Sequence, residues 1–114
     1  MEIRQETRNS VLVLTPTGRI DSGTAAAFEA RLSQAVAGGK AKVVIDMSEL
    51  GHVGSTGLRA LLLSAKKART AGSRIVLAGL PSIVRPVFAA SGFADLFAIH
   101  PDVDTAVGAL DALP

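Results

Sequence analysis

The chain has 114 residues, 48% of them hydrophobic and 19% charged, which is the composition of one globular domain spanning 1–114 and excludes a disordered tail. Cysteine is absent, so there is no disulfide framework, thiolate metal site or cysteine nucleophile, and a net charge of +2 is too small to advertise direct nucleic-acid or lipid binding. No stretch free of Asp, Glu, Lys and Arg exceeds ten residues; a spanning helix needs about 20, and the mixed-charge start MEIRQETRNS is unlike a secretory signal, so a cytoplasmic protein without membrane insertion is expected.

Ile3 and its alternating polar neighbours predict an edge strand, followed by a strand at Val11–Leu14 that stops at Thr15-Pro16-Thr17-Gly18. An edge strand of that kind is either capped or left open to a second copy, so a homodimer is one possible state. Asp21, Ser22 or Thr24 caps a first helix, with Ala27, Ala30 or Arg31, Val36 and the Phe28, Leu32, Ala35 series at helical spacing, closed by Gly38-Gly39. KVVIDM, Lys42–Met47, is apolar at nearly every position and reads as a central strand covered on both faces.

After a link over Ser48–Val53, Gly54-Ser55-Thr56-Gly57 opens a second helix whose apolar stripe is Leu58, Leu61, Leu62, Ala65 and Ala68, ending at Ala71-Gly72. RIVLA, Arg74–Ala78, is a further strand. Pro81 starts a third helix running to Ala90 and stopped by Ser91-Gly92, with Pro86 marking a kink or early break. Phe97-Ala98-Ile99 is a short last strand, and Asp102 or Asp104 caps a final helix through Leu110. Strands alternating with helices in this way predict an α/β fold with a mixed, mostly parallel sheet and about four helices.

Catalytic machinery is hard to assemble from these residues. The histidines are His52 and His100, with no nucleophile assigned to either, and Asp102-Val103-Asp104 is the nearest approach to a metal-ligand cluster but reads equally well as a helix cap. Gly51-x-x-Gly54-x-x-Gly57 faintly resembles a phosphate cradle without the lysine and hydroxyl ending of a P-loop. No metal, cofactor or catalytic residue is therefore expected. Residues 50–94 hold six basic side chains and no acid; without Tyr or Trp for base stacking, a solvated helix face or an acidic protein partner fits better than RNA.

The feature that remains is a pair of hydroxyls between glycines at a helix start. One of them caps the helix, or a phosphate added there meets the free N–H groups and the positive end of the helix dipole, and the two readings are compatible. At 100° per residue Ser55, Arg59, Leu62 and Lys66 fall within an arc of about 60°, with Leu63 lying about 40–60° beyond Arg59 and Lys66. A leucine among basic groups, next to a modifiable hydroxyl, describes a docking surface that a charge can switch.

Gly18-Arg19-Ile20-Asp21-x-x-Thr24, Val43-Val44-Ile45-Asp46-Met47-Ser48, Gly54-Ser55-Thr56-Gly57-Leu58 and Ala71-Gly72-Ser73-Arg74-Ile75-Val76-Leu77 resemble the successive signatures of the STAS domain, in particular bacterial anti-sigma factor antagonists. The resemblance implies a module that binds an anti-sigma factor of the serine-kinase type and so frees a sigma factor. It implies that the kinase phosphorylates Ser55, with Thr56 the alternative, and that a phosphatase resets it. It matches Asp21 to an acidic residue of the family's binding surface near this turn, which together with the helical arc gives an expected partner-binding surface of Asp21, Gly54, Ser55, Thr56, Arg59, Leu62, Leu63 and Lys66. In the family an acid precedes the acceptor; here that position is Gly54. The rival implied by the same family is an interaction subunit of another assembly, such as an ABC-type lipid transporter.

Overall fold

A computed structural model describes residues 1–91 and 97–113. Six strands and four helices follow in the order β1 (Glu2–Arg8), β2 (Val11–Ile20), α1 (Ala25–Val36), β3 (Lys42–Asp46), β4 (Leu50–Val53), α2 (Ser55–Thr70), β5 (Arg74–Ala78), α3 (Arg85–Ser91), β6 (Ile99–His100) and α4 (Val103–Asp111). The sheet order is β1-β2-β3-β5-β6, with β4 extending it beside the far end of β2. Only the β1–β2 hairpin is antiparallel among these pairings, so the expected mixed, mostly parallel α/β sheet with four helices is what forms.

Alternation along the central strands decides which helix each side chain meets. Val11, Val13, Val44, Val76 and Ala78 pack with Ala106, Val107 and Leu110 of α4 on one face. Leu14, Val43, Ile45 and Leu77 face the other way, onto Phe28 and Leu32 of α1 and Leu58 and Leu61 of α2. The layers are tied by Ser73, whose buried Oγ accepts from the Ala41 N–H at 3.0 Å and reaches the Val36 carbonyl at 3.3 Å. The Cα radius of gyration is 12.7 Å, matching the ~13 Å of a compact chain this long.

Several boundaries depart from the sequence expectations for identifiable reasons. β2 runs through Thr15-Pro16-Thr17-Gly18 instead of stopping there. Pro16 is opposite Ile3 and lies between the Leu12–Leu14 stretch paired with β3 and the Gly18–Ile20 stretch paired with β4. The donor it lacks therefore falls in a gap between two ladders. The supposed link Ser48–Val53 contains β4, whose pattern of buried ends and exposed Gly51-His52 centre hid it.

In α1 the buried positions are Ala25, Phe28, Leu32 and Val36, whereas Ala27 and Ala30 are exposed; alanine marks a helix here but not its buried face. Asp21, Ser22 and Thr24 were candidate caps: Thr24 holds the N-cap position, yet no side chain makes the capping bond. In α2, Leu62 and Ala65 are half-buried flanks, not centre, of a buried stripe formed by Gly57, Leu58, Ala60, Leu61, Ser64 and Ala68.

The third helix begins at Arg85, not Pro81. Pro86 consequently sits in its first turn, where a missing N–H costs nothing, and Pro81–Val84 form a turn closed by the Val84 N–H to the Pro81 carbonyl at 2.9 Å. Gly92, expected to stop this helix, lies outside the described residues. Asp102 caps α4 as expected, accepting from the Thr105 N–H at 2.7 Å.

Leu61 is fully buried at the centre of the α1–α2 side of the core. Leu61→Ala should lower the unfolding free energy by about 2–5 kcal/mol in urea denaturation; a loss below about 1 kcal/mol would show that α2 does not seal this layer.

Candidate functional site

The site is built on one close approach between α2 and the end of β2. A Cβ placed on Gly57 would lie 2.7 Å from Ile20 Cγ2 and 2.8 Å from the Ile20 carbonyl oxygen. Only glycine lets the first turn of α2 come this near the strand. The Gly54 N–H donates to the same Ile20 carbonyl at 2.8 Å, so strand end and helix start are joined by both a hydrogen bond and packing. Gly54, in an extended conformation, is the N-cap, and no side chain caps the helix. The expectation that Ser55 or Thr56 would be the cap is thus corrected: they are the first two helical residues, both exposed.

Asp21 follows directly on β2 and is half-buried. Its Oδ1 accepts from the Gly23 N–H at 2.9 Å, and its Oδ2 pairs with Arg19 Nε at 3.2 Å. Those two interactions, the Gly23 amide first and Arg19 second, hold its carboxyl below the ordinary value of 3.8. Thr24 Oγ1 completes the turn by accepting from the Asp21 N–H at 3.0 Å and donating to the Arg19 carbonyl at 2.9 Å. A Cβ on Gly54 would sit 3.9 Å from the Asp21 Cα and 3.4 Å from His52 Nε2. The fold therefore gathers the Asp21 turn, His52 and the start of α2 into one surface.

Beyond the first turn, Arg59 and Lys66 are exposed and Leu62 is half-buried. Leu63 is 37% exposed, enough for its side chain to meet a partner. Lys67 and Arg69 add further positive charge to α2, which has no acid in its first turn. Of the α2 residues that sequence reasoning grouped, Arg59, Leu63 and Lys66 are exposed and Leu62 is half-buried; Asp21 was named through family resemblance. That reasoning missed Arg19 and His52, and the role of Gly57. The regular glycine spacing was the available signal for Gly57, but it suggested a ligand where the structure has a packing contact.

The two histidines are not brought together: β4 carries His52 beside β2, β6 carries His100 beside β5, and β3 lies between. No group of three or more His, Cys, Asp or Glu side chains suited to a metal ion occurs among the described residues. No helix among them is long and apolar enough to cross a membrane.

The chain is thus a small α/β domain whose second helix begins, without a side-chain cap, at two exposed hydroxyl residues. The STAS domain model matches residues 2–106, and the chain belongs to the STAS family. It is 34% identical over 115 residues to BtrV of Bordetella bronchiseptica, a protein named as an anti-sigma factor antagonist, with 100% of this chain and 99% of BtrV covered. The unphosphorylated anti-sigma factor antagonist SpoIIAA superposes with a TM-score of 0.81 at 18% identity over 99% of each chain. SpoIIAA, a cell fate determinant of Bacillus, has also been solved phosphorylated, with a TM-score of 0.72, 18% identity and 96% of this chain and 99% of that chain covered. The murine anion transporter Slc26a9 shares the fold with a TM-score of 0.80 at 16% identity, over 95% of this chain and 19% of the transporter chain.

Gly57→Ala gains about 1 kcal/mol of helix propensity but meets a backbone oxygen that cannot yield, and should destabilise by about 1–3 kcal/mol. Gly54→Ala, whose nearest neighbour would be 3.4 Å away, should cost no more than about 1 kcal/mol. Equal stability of the two variants in thermal unfolding would remove the close approach as a constraint. Because the folded Asp21 carboxyl titrates low, its stabilising contribution is present above the unfolded value near 4 and disappears as pH falls through the folded one. Carbon-detected NMR titration should place the Asp21 midpoint below 3.8 even in Arg19→Ala, since the Gly23 amide is the larger cause; a return to 3.8 in that variant would make Arg19 the sole cause.

Proposed function

We propose that this protein is an anti-sigma factor antagonist that docks a serine-kinase-type anti-sigma factor on the Asp21 turn and the exposed face of α2, releasing a sigma factor, and that phosphorylation of Ser55 ends the association. The observation that carries the reading is the exposed Ser55 hydroxyl as first residue of a 16-residue helix with no side-chain cap. The 34% identity to BtrV over nearly the whole of both chains supports the antagonist reading. A subunit of a transporter assembly is the less favoured role.

In the proposed step Ser55 Oγ attacks the γ-phosphorus of kinase-bound ATP, an Oγ–P bond forms, the bond to the ADP oxygen breaks, and the hydroxyl proton passes to a base on the kinase. The fold supplies two reasons for tolerating the product. The phosphate enters the positive end of the helix dipole, where free N–H groups point outward, and Arg59 lies one turn further on, at the i+4 spacing that favours pairing. The same pairing withdraws Arg59 from a partner and adds nearly two negative charges at the edge of the docking face. No carboxylate precedes the acceptor, since Gly54 stands there. Orientation of the hydroxyl then falls to the helix start itself and to groups of the kinase, with Thr56 as the adjacent alternative acceptor.

Incubation with the cognate kinase and ATP, followed by peptide mass spectrometry, should place one phosphate on Ser55 and none on Ser55→Ala, which should still bind. Unchanged phosphorylation of Ser55→Ala would move the acceptor to Thr56, and no phosphorylation of either form would overturn the switch. Leu63→Glu should weaken partner binding at least about tenfold, the loss of a well-placed interface side chain, while leaving the melting temperature nearly unchanged. Wild-type affinity in that variant would take Leu63 out of the interface.

A further inference from the structure

Among the described residues β1 forms a sheet edge paired only with β2, and its side chains repeat a pattern that can complement itself. The hairpin turns on two residues, Asn9 and Ser10, with Asn9 at φ 58°. A two-residue turn closes on a pair that exchanges both backbone hydrogen bonds, here Arg8 with Val11. Alternation then points the backbone groups of Glu2, Arg4, Glu6 and Arg8 toward β2 and those of Ile3, Gln5 and Thr7 outward. Three residues of unsatisfied ladder therefore line the free edge, and neither Pro nor Gly interrupts them.

We infer that two copies of this protein pair antiparallel through β1, with Gln5 opposite Gln5 on the two-fold axis and Ile3 opposite Thr7. The outward-facing backbone groups allow only registers in which odd-numbered residues meet. Of these, the one centred on Gln5 sets Glu2 against Arg8 and Arg4 against Glu6, twice each. These fall at the non-hydrogen-bonded positions, where opposing side chains are closest. Centring on Arg4 instead would oppose Arg4 to Arg4 and Glu2 to Glu6; centring on Glu6 would oppose Glu6 to Glu6 and Arg4 to Arg8. Charge ordinarily protects an edge from pairing, but alternating signs protect it in every neighbouring register and admit this one.

The charged side chains share the face occupied by α4, because they stand opposite Val11, Val13, Thr15 and Thr17 of β2. Within each chain Arg8 pairs with Asp104 and Arg4 with Glu49, and each guanidinium has further N–H donors beyond that pair. On the other face each Gln5 accepts from Arg31 of its own chain at 2.8 Å. The inference is independent of the proposed function, since the pairing uses neither α2 nor Asp21. An edge contact of this size belongs to the weak class of interfaces, below about 1,200 Å².

The test is sedimentation equilibrium of the full chain and of Arg4→Glu, Glu6→Arg and Gln5→Pro, at concentrations up to on the order of 1 mM, the range of weak association. Wild type should dimerise. Arg4→Glu and Glu6→Arg should each weaken dimerisation at least about tenfold by opposing like charges, and an equimolar mixture of the two should dimerise again, because each then supplies the other's missing sign. Gln5→Pro, which removes an outward donor and leaves the β2 ladder intact, should be monomeric with an unchanged circular dichroism spectrum. A wild type that stays monomeric throughout, or single charge variants that dimerise as well as wild type, would overturn the inference, as would a mixture no more associated than its components.

Discussion

The contact between Gly57 and Ile20 is the constraint on which the rest of the surface depends. It brings the first turn of α2 against the last residue of β2, at a distance where any side chain would collide with a backbone oxygen. With the hydrogen bond from Gly54 to the same carbonyl, it fixes the helix axis relative to the strand and turns Ser55 and Thr56 outward. Asp21 is the next residue after Ile20, so the same contact sets the distance between the Asp21 turn and the helix start. A docking surface made of two separate segments becomes one rigid unit.

Electrostatics then gives that unit its character. α2 begins with no acid in its first turn and no side-chain cap, and Arg59, Lys66 and Lys67 carry positive charge along its exposed side. Such a face suits an acidic partner, and it is also where an added phosphate is tolerated best. In the proposed switch, the positive charge that draws a partner to the helix start is also what accommodates a phosphate there. In the proposed docking, exposed Leu63 supplies the apolar contact that charge alone lacks.

Much of this was legible in the sequence because it rests on local patterns. The unbroken apolar run of Val43, Val44 and Ile45 signalled a strand buried on both faces, and the spacing of Leu58, Leu61 and Ala68 signalled the buried side of α2. The hydroxyl pair between glycines marked the candidate site. What escaped depended on partners distant in sequence. Pro16 reads as a strand terminator until the gap between β3 and β4 is known, and Leu50–Val53 reads as a link until β2 is seen to offer it an edge. Ala27 and Ala30 fit a helical stripe by residue type, but the core chose Ala25 and Phe28. Gly57 could be noticed from its spacing, whereas its reason, the carbonyl of Ile20, exists only in three dimensions.

The most direct test of the docking surface is amide NMR of the labelled protein while nucleotide-loaded anti-sigma factor is added. The largest shifts should map to Asp21, Gly54–Arg59 and Leu63, and they should vanish when Ser55 carries a phosphate although the protein's own spectrum remains that of a folded domain. Shifts centred on α4 or β1, with the start of α2 unmoved, would contradict the account.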